Sequence, residues 1–221
     1  MSRNNLIAVI IFVVLAAGSA SFFIWRGIKT PVETPPDSST LGVESPTPLS
    51  GVPDESGNEL EMLARSALER KIPSGDAAMM KELKDLSVQL KSEPNYLQGW
   101  LQVGILRKYL GDYEGASLAW QYAALLRPND FIAFSNLGDL YHYYLKDFSK
   151  AEKYLRSAVD IKPDYVAGYK NLFDLYTLSY PPDRRAGAEK AEAVLLEGIK
   201  KNPSDNYLQT ILASYKNDNQ R

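Results

Sequence analysis

Four prolines, Pro94, Pro128, Pro163 and Pro203, follow one another at intervals of 34, 35 and 40 residues. Six residues after each of the first three stands an aromatic ring: Trp100, Phe134 and Tyr169. Alanines keep the same phase at Ala116, Ala151 and Ala191, and again at Ala123 and Ala158. A period of this length means one small supersecondary unit used several times, each burying its apolar face against the next. Apolar steps of three and four residues predict two amphipathic helices per unit. Trp100, Val103, Ala116, Trp120 and Ala123 mark the first pair, Phe134, Leu137, Tyr141, Ala151, Leu155 and Ala158 the second, and Tyr169, Leu172, Tyr176, Ala191 and Leu195 the third. Gly111-Asp112-Tyr113 and Lys146-Asp147-Phe148 read as turns within a pair, and the prolines end each second helix. Gly104 and Gly138 lie inside helices, where glycine costs up to about 1 kcal/mol relative to alanine, so they are expected where helices come too close for a side chain.

These residues resemble the tetratricopeptide repeat family, whose pattern W-x2-L-G-x2-Y…A-x3-F…A-x4-P is followed from Trp100 to Pro128 and from Phe134 to Pro163. There are departures from it. Arg107 takes the place of an aromatic in the first unit, Leu155 that of the later aromatic in the second, and Phe173 that of the glycine in the third. An insertion around Ser179 to Arg185 lengthens the third unit and accounts for the interval of 40. Two weaker helices precede the repeats. One is Glu59 to Lys71; the other follows Asp76, a candidate cap, and runs to Lys91, the two together looking like a degenerate repeat. A polar-backed helix from Asn206 to Lys216 looks like the cap a solenoid needs for solubility. The fold expected is all-α: a TPR-like α-solenoid of about three repeats with flanking helices and an N-terminal transmembrane helix. The chain divides into 1–29 (anchor), 30–58 (linker), 59–94 (degenerate repeat), 95–203 (three repeats) and 204–221 (capping helix).

The anchor is read from Leu6 to Trp25, 20 residues without a charge. As a helix rising about 1.5 Å per residue they match the roughly 30 Å hydrocarbon layer, so the bilayer is an expected partner through residues 6–25. A cleaved leader is the rival reading, since Gly18-Ser19-Ala20 would suit a signal peptidase. Against it, Phe22, Phe23, Ile24 and Trp25 continue the apolar run and would be left exposed at a new N-terminus. From Thr30 to Asn58 come six of the 13 prolines, five acids and no Lys or Arg, a composition expected to stay disordered. Charges flanking the anchor nearly balance, and the acidic spacer does nothing to hold the C-terminal side in. The expected placement is a single-pass membrane protein with its N-terminus in the cytoplasm and the repeats periplasmic or extracellular.

Taking the three bases of residues 1–29 and the five acids of residues 30–58 from totals of 25 and 27 leaves 22 of each from Glu59 onward. A neutral body of this kind offers no general field for nucleic acid. With no cysteine and one histidine, thiol nucleophiles and paired-imidazole metal sites are excluded. Neither a phosphate-binding glycine loop nor a Gly-x-Ser-x-Gly elbow is present. No catalytic residue, metal, cofactor or small-molecule substrate is therefore expected.

The family resemblance implies that the first helix of each unit lines a concave, ligand-binding face. Carried over residue by residue, the face offers Gln98, Leu101, Gln102 and Lys108 from the first unit, Asn136, Asp139 and His142 from the second, and Lys170, Asn171 and Asp174 from the third. Asn136 and Asn171, 35 residues apart, are the family's candidates for bonding the backbone of an extended peptide, because an amide both donates and accepts. His142 is expected to form a surface pair with Asp139, and Tyr109 and Tyr143 to edge the face. The lysine-rich clamp some relatives use for a peptide C-terminus is not reproduced, since only Lys170 and Lys108 supply positive charge and Asp139 and Asp174 oppose it. The implied function is a membrane-tethered adaptor that binds a peptide or protein partner in assembly of an envelope complex. The alternatives are a subunit packed permanently in a larger membrane complex, or a secreted repeat protein after leader cleavage.

Overall fold

A computed structural model describes residues 55–179 and 184–219. The expected anchor, nearly all of the linker and the heart of the third-unit insertion thus lie outside the described residues. Among those described there is no strand, and no helix is long and apolar enough to cross a membrane.

The helices are α1 (Glu55–Leu68), α2 (Ala77–Ser92), α3 (Leu97–Tyr109), α4 (Tyr113–Leu126), α5 (Phe131–Leu140), α6 (Phe148–Ile161), α7 (Val166–Leu178), α8 (Arg184–Lys201) and α9 (Tyr207–Asn219). A π-helical turn, Tyr141–Leu145, extends α5. Four starts are set by aspartate caps: Asp76 accepts from the amides of Ala78 and Met79, Asp112 from Gly115, Asp130 from Ile132 and Asp147 from Lys150. Each cap satisfies a backbone donor that the first helical turn leaves over. The turns within the first two pairs reverse through a left-handed residue at equivalent positions, Gly111 (φ 81°) and Lys146 (φ 57°).

α3 packs beside α4, α5 beside α6 and α7 beside α8, and each second helix then meets the first helix of the next pair. This is a stack of three like pairs, with α9 closing it against α8. The interval of six between proline and aromatic has a local cause. Trp100 Nε1 donates to the carbonyl of Pro94 at 2.8 Å, and Tyr169 Oη to that of Pro163 at 3.2 Å, tying each incoming loop to the core. Both intra-helical glycines stand at close approaches: a Cβ on Gly104 would lie 2.2 Å from Trp120 Nε1, and one on Gly138 2.5 Å from Leu155 Cγ. Phe173, standing where a third glycine is expected, turns its ring to Tyr215 of α9, edge to face at 5.2 Å. In α9, Leu208 is buried while Gln209, Lys216 and Asn217 are exposed, a polar outer face on the last helix.

The N-terminal helices behave differently from the repeats. α2 packs on α3 as a second helix does, whereas α1 lies against α4 rather than beside α2. Arg107 explains the placement. The equivalent residues Tyr141 and Tyr176 direct their hydroxyls to the preceding second helix, at Ser117 of α4 and at Glu152 and Arg156 of α6. Arg107 meets the end of α1 instead, donating from Nη2 to the carbonyls of Ala67 at 2.8 Å and Arg70 at 3.1 Å and from Nη1 to that of Lys71 at 3.5 Å. Its charge is matched by Asp112, 2.5 Å from Nη1, which Arg70 also contacts at 2.7 Å. The guanidinium is fully buried, and burial pulls its pKa below the ordinary arginine value even with this carboxylate beside it. One side chain therefore neutralises Asp112 and covers the carbonyls that α1 leaves over at its C-terminal end.

Arg107→Met keeps volume but leaves those carbonyls uncovered and Asp112 with Arg70 as its remaining charge partner, so the expected cost is about 2–3 kcal/mol. Hydrogen exchange should show α1 losing protection first while α6 to α8 keep theirs. Unchanged protection in α1 would remove Arg107 from its docking.

Candidate functional site

Three first helices, α3, α5 and α7, carry equivalent positions that form rows from repeat to repeat. Gln98, Ile132 and Ala167 make the first row, and all are exposed. Gln102, Asn136 and Asn171 make the second, Ile105, Asp139 and Asp174 the third, all half-buried. Tyr109, Tyr143 and Leu178 make the fourth, exposed by 60%, 41% and 72%.

The half-buried rows are laced together by hydrogen bonds between neighbours. Gln102 Nε2 donates to Glu82 of α2 at 2.9 Å, and Asn171 Nδ2 donates to Asp139 at 2.9 Å. Tyr143 Oη donates to Asp174 at 3.3 Å, and Lys170 pairs with Asp174 along α7. Asn136, between Gln102 and Asn171 in its row, has no hydrogen-bond partner for its amide among the described residues. Among the described residues Lys108 reaches no carboxylate within salt-bridge distance, and its Nζ lies 5.4 Å from the ring centre of Tyr109 and 5.8 Å from that of Tyr144. An ammonium between two rings is held by their negative faces.

Burial shapes the titration of this face. Desolvation pushes the Asp139 carboxyl up to about 6, Asp174 adds to the rise, and the charges of Lys108 and Lys170 work against it. Tyr143 is pushed up to about 12, first by desolvation and then by the Asp174 and Asp139 carboxylates.

Of the residues expected on this face, Gln98, Gln102, Lys108, Asn136, Asp139, Lys170, Asn171 and Asp174 are accessible on it, and two are not. Leu101 is buried, with its carbonyl accepting from Trp120 Nε1 at 3.1 Å, so it belongs to the α3 to α4 interface. His142 is buried as well and does not form a surface pair with Asp139. The chain leaves α-helical spacing at Tyr141, and the π turn carries the imidazole inward, where Nε2 lies 2.8 Å from Ser179 Oγ and Nδ1 has no partner. Desolvation, with Lys146 nearby, pulls its pKa down, as suits a neutral ring. Asn171 is accessible but already committed to Asp139 through one amide hydrogen. Leu178 and Tyr144 escaped the sequence reading. The signal for Leu178 was the repeat interval itself, since Tyr109, Tyr143 and Leu178 follow at 34 and 35 residues.

Comparison with known proteins agrees with this architecture. No protein-family model matches the chain. Over 105 residues it is 31% identical to the human Superkiller complex protein 3, covering 46% of this chain and only 6% of that protein's length. Among solved structures it resembles MamA. The RS-1 ArsTM double mutant superposes with a TM-score of 0.51 at 20% identity, covering 77% of this chain and 88% of that one. MamA from residue 41 to its end, from Desulfovibrio magneticus RS-1, gives a TM-score of 0.50 at 20% identity with the same coverage. At such identity the likeness speaks for the fold alone. The described residues have a tetratricopeptide-like helical-repeat fold.

Proposed function

We propose that this protein is a non-catalytic adaptor that binds an extended peptide or protein segment across the face of α3, α5 and α7. In this reading residues 6–25 tether it to a membrane with the repeats periplasmic or extracellular, and residues 30–58 space them from the bilayer in service of an envelope complex. The observation that carries the binding site is Asn136. Its amide is half-buried in mid-row and unpartnered, while Gln102 and Asn171 on either side are tied to neighbours. A half-buried amide lacking protein partners is suited to a backbone N–H and C=O arriving from outside. The tether is supported by the length and uncharged character of residues 6–25.

The test of the site is a peptide library screened against the full chain. Asn136→Ala is expected to weaken selected peptides about three- to tenfold, the loss of one or two net hydrogen bonds. Asn217→Ala, on the exposed side of α9, serves as the control, and equal affinities for both variants would dismiss the site. For the tether, the full-length chain is expected to stay in the membrane pellet after alkaline carbonate extraction, and release to the supernatant would contradict it.

Asp139 gives this face a stability signature of its own. Its folded pKa of about 6 lies above the 3.8 of a free aspartate, so the native state binds the extra proton and stability falls as pH rises from about 4 to 6. Above that window the cost is fully present. Asp139→Asn, which keeps an acceptor for Asn171, should stabilise the unliganded protein by up to about 3 kcal/mol at pH 7 and flatten its stability between pH 4 and 6. Denaturant titrations at both ends of that range check it.

A further inference from the structure

The polar rows leave the fourth row of the face unassigned. Tyr109, Tyr143 and Leu178 occupy one repeat position in three successive units, and each is a large apolar side chain left open to solvent. A single exposed leucine needs no explanation, but exposure of a large apolar group at the same position three times in succession does. Tyr144, 44% exposed, stands next to Tyr143, and its ring lies 4.7 Å from Tyr113 of α4, which fixes it at the junction of the first two units. Lys108 joins this ring to Tyr109, and the hydroxyl of Tyr143 reaches Asp174, one helical turn before Leu178. The row is therefore continuous across the three repeats.

The charge along it is lopsided. Asp174 is occupied by Lys170 and Tyr143, and Asp139 receives Asn171. Among the described residues Lys108 has no carboxylate in ion-pair contact, and neither does Lys146, which is exposed at the end of the π turn and close enough to His142 to depress its basicity. Among the described residues Lys108 and Lys146 thus border the row without an ion pair, while Asp139, which has none either, is already hydrogen-bonded by Asn171.

We infer that Tyr109, Tyr143, Tyr144 and Leu178, with Lys108 and Lys146, form a docking row for a partner segment in which large apolar side chains are interleaved with acidic ones. This rests on the proposed peptide-binding role of the α3, α5 and α7 face and names the side-chain chemistry that role selects. The apolar groups of the partner cover the tyrosines and Leu178, while its carboxylates meet Lys108 and Lys146. Rings and leucine give contact area, and the lysines decide against a basic segment.

Three short fluorescein-labelled peptides test this against the full chain in detergent: one alternating Leu and Phe with Glu and Asp, one with Lys in place of its acids, and one with Ser in place of its apolar residues. The first is expected to bind about tenfold or more tighter than the other two. Tyr109→Ser and Leu178→Ser, both at exposed positions, should each weaken it several-fold, and Lys108→Met should narrow its advantage over the lysine peptide. Equal binding of the acidic and basic peptides, or unchanged affinity in Tyr109→Ser and Leu178→Ser, overturns the inference. Undiscriminating binding of all three that falls in Asn136→Ala overturns it too but leaves the face as a peptide site, whereas no saturable binding of any peptide removes both.

Discussion

The approach of the two helices in a pair is the constraint on which the rest of this molecule depends. α3 and α4 come together over Gly104, into which the Trp120 indole fits, and α5 and α6 over Gly138, beneath Leu155. Closeness there fixes the direction of each second helix, and so where the next proline loop and the next aromatic must stand. The third pair lacks that notch, because Phe173 occupies it. Its ring is turned away to Tyr215 of the last helix, and a residue foreign to the repeat becomes the contact that seats the cap.

Stacking the pairs brings first helices into register, and register makes a face out of scattered residues. No single helix holds Asp139, Asn171, Lys108 and Tyr144, which sit on α3, α5, α7 and the π turn. Placed together, they set a partly desolvated carboxylate near two ammonium groups and a line of rings, and it is burial more than any one neighbour that holds Asp139 protonated toward neutrality. The face is polar in its middle and apolar along one edge, a division that follows from which repeat position is covered by the adjacent helix.

What the sequence made legible was whatever recurs. The proline interval, the aromatic six residues on, the helix-interior glycines and the aspartate at Asp76 each led to the correct local structure, because each acts through its own turn or its own pair. The residues expected on the face came from the family resemblance, carried from one repeat position to the next. The residues misjudged were those whose fate lies with a neighbour from elsewhere in the chain. Leu101 is covered by the α3 to α4 packing, which a single-helix pattern does not weigh. His142 is drawn in by a π turn, an extra residue per turn that no composition announces. The position of α1 was likewise hidden, since it depends on Arg107, which a repeat pattern reads only as a missing aromatic. The Tyr109, Tyr143 and Leu178 row was legible in principle; its period was in view, but a change from tyrosine to leucine concealed the equivalence.

The docking of α1 also has a mechanical side. α1 is held at its far end by carbonyls gripped by a guanidinium whose counter-charge, Asp112, caps α4. A pull arriving from the N-terminal side would run along α1 and load those bonds together before it reached the helix pairs. The first element to give way would be α1 itself, ahead of the α3 to α9 stack.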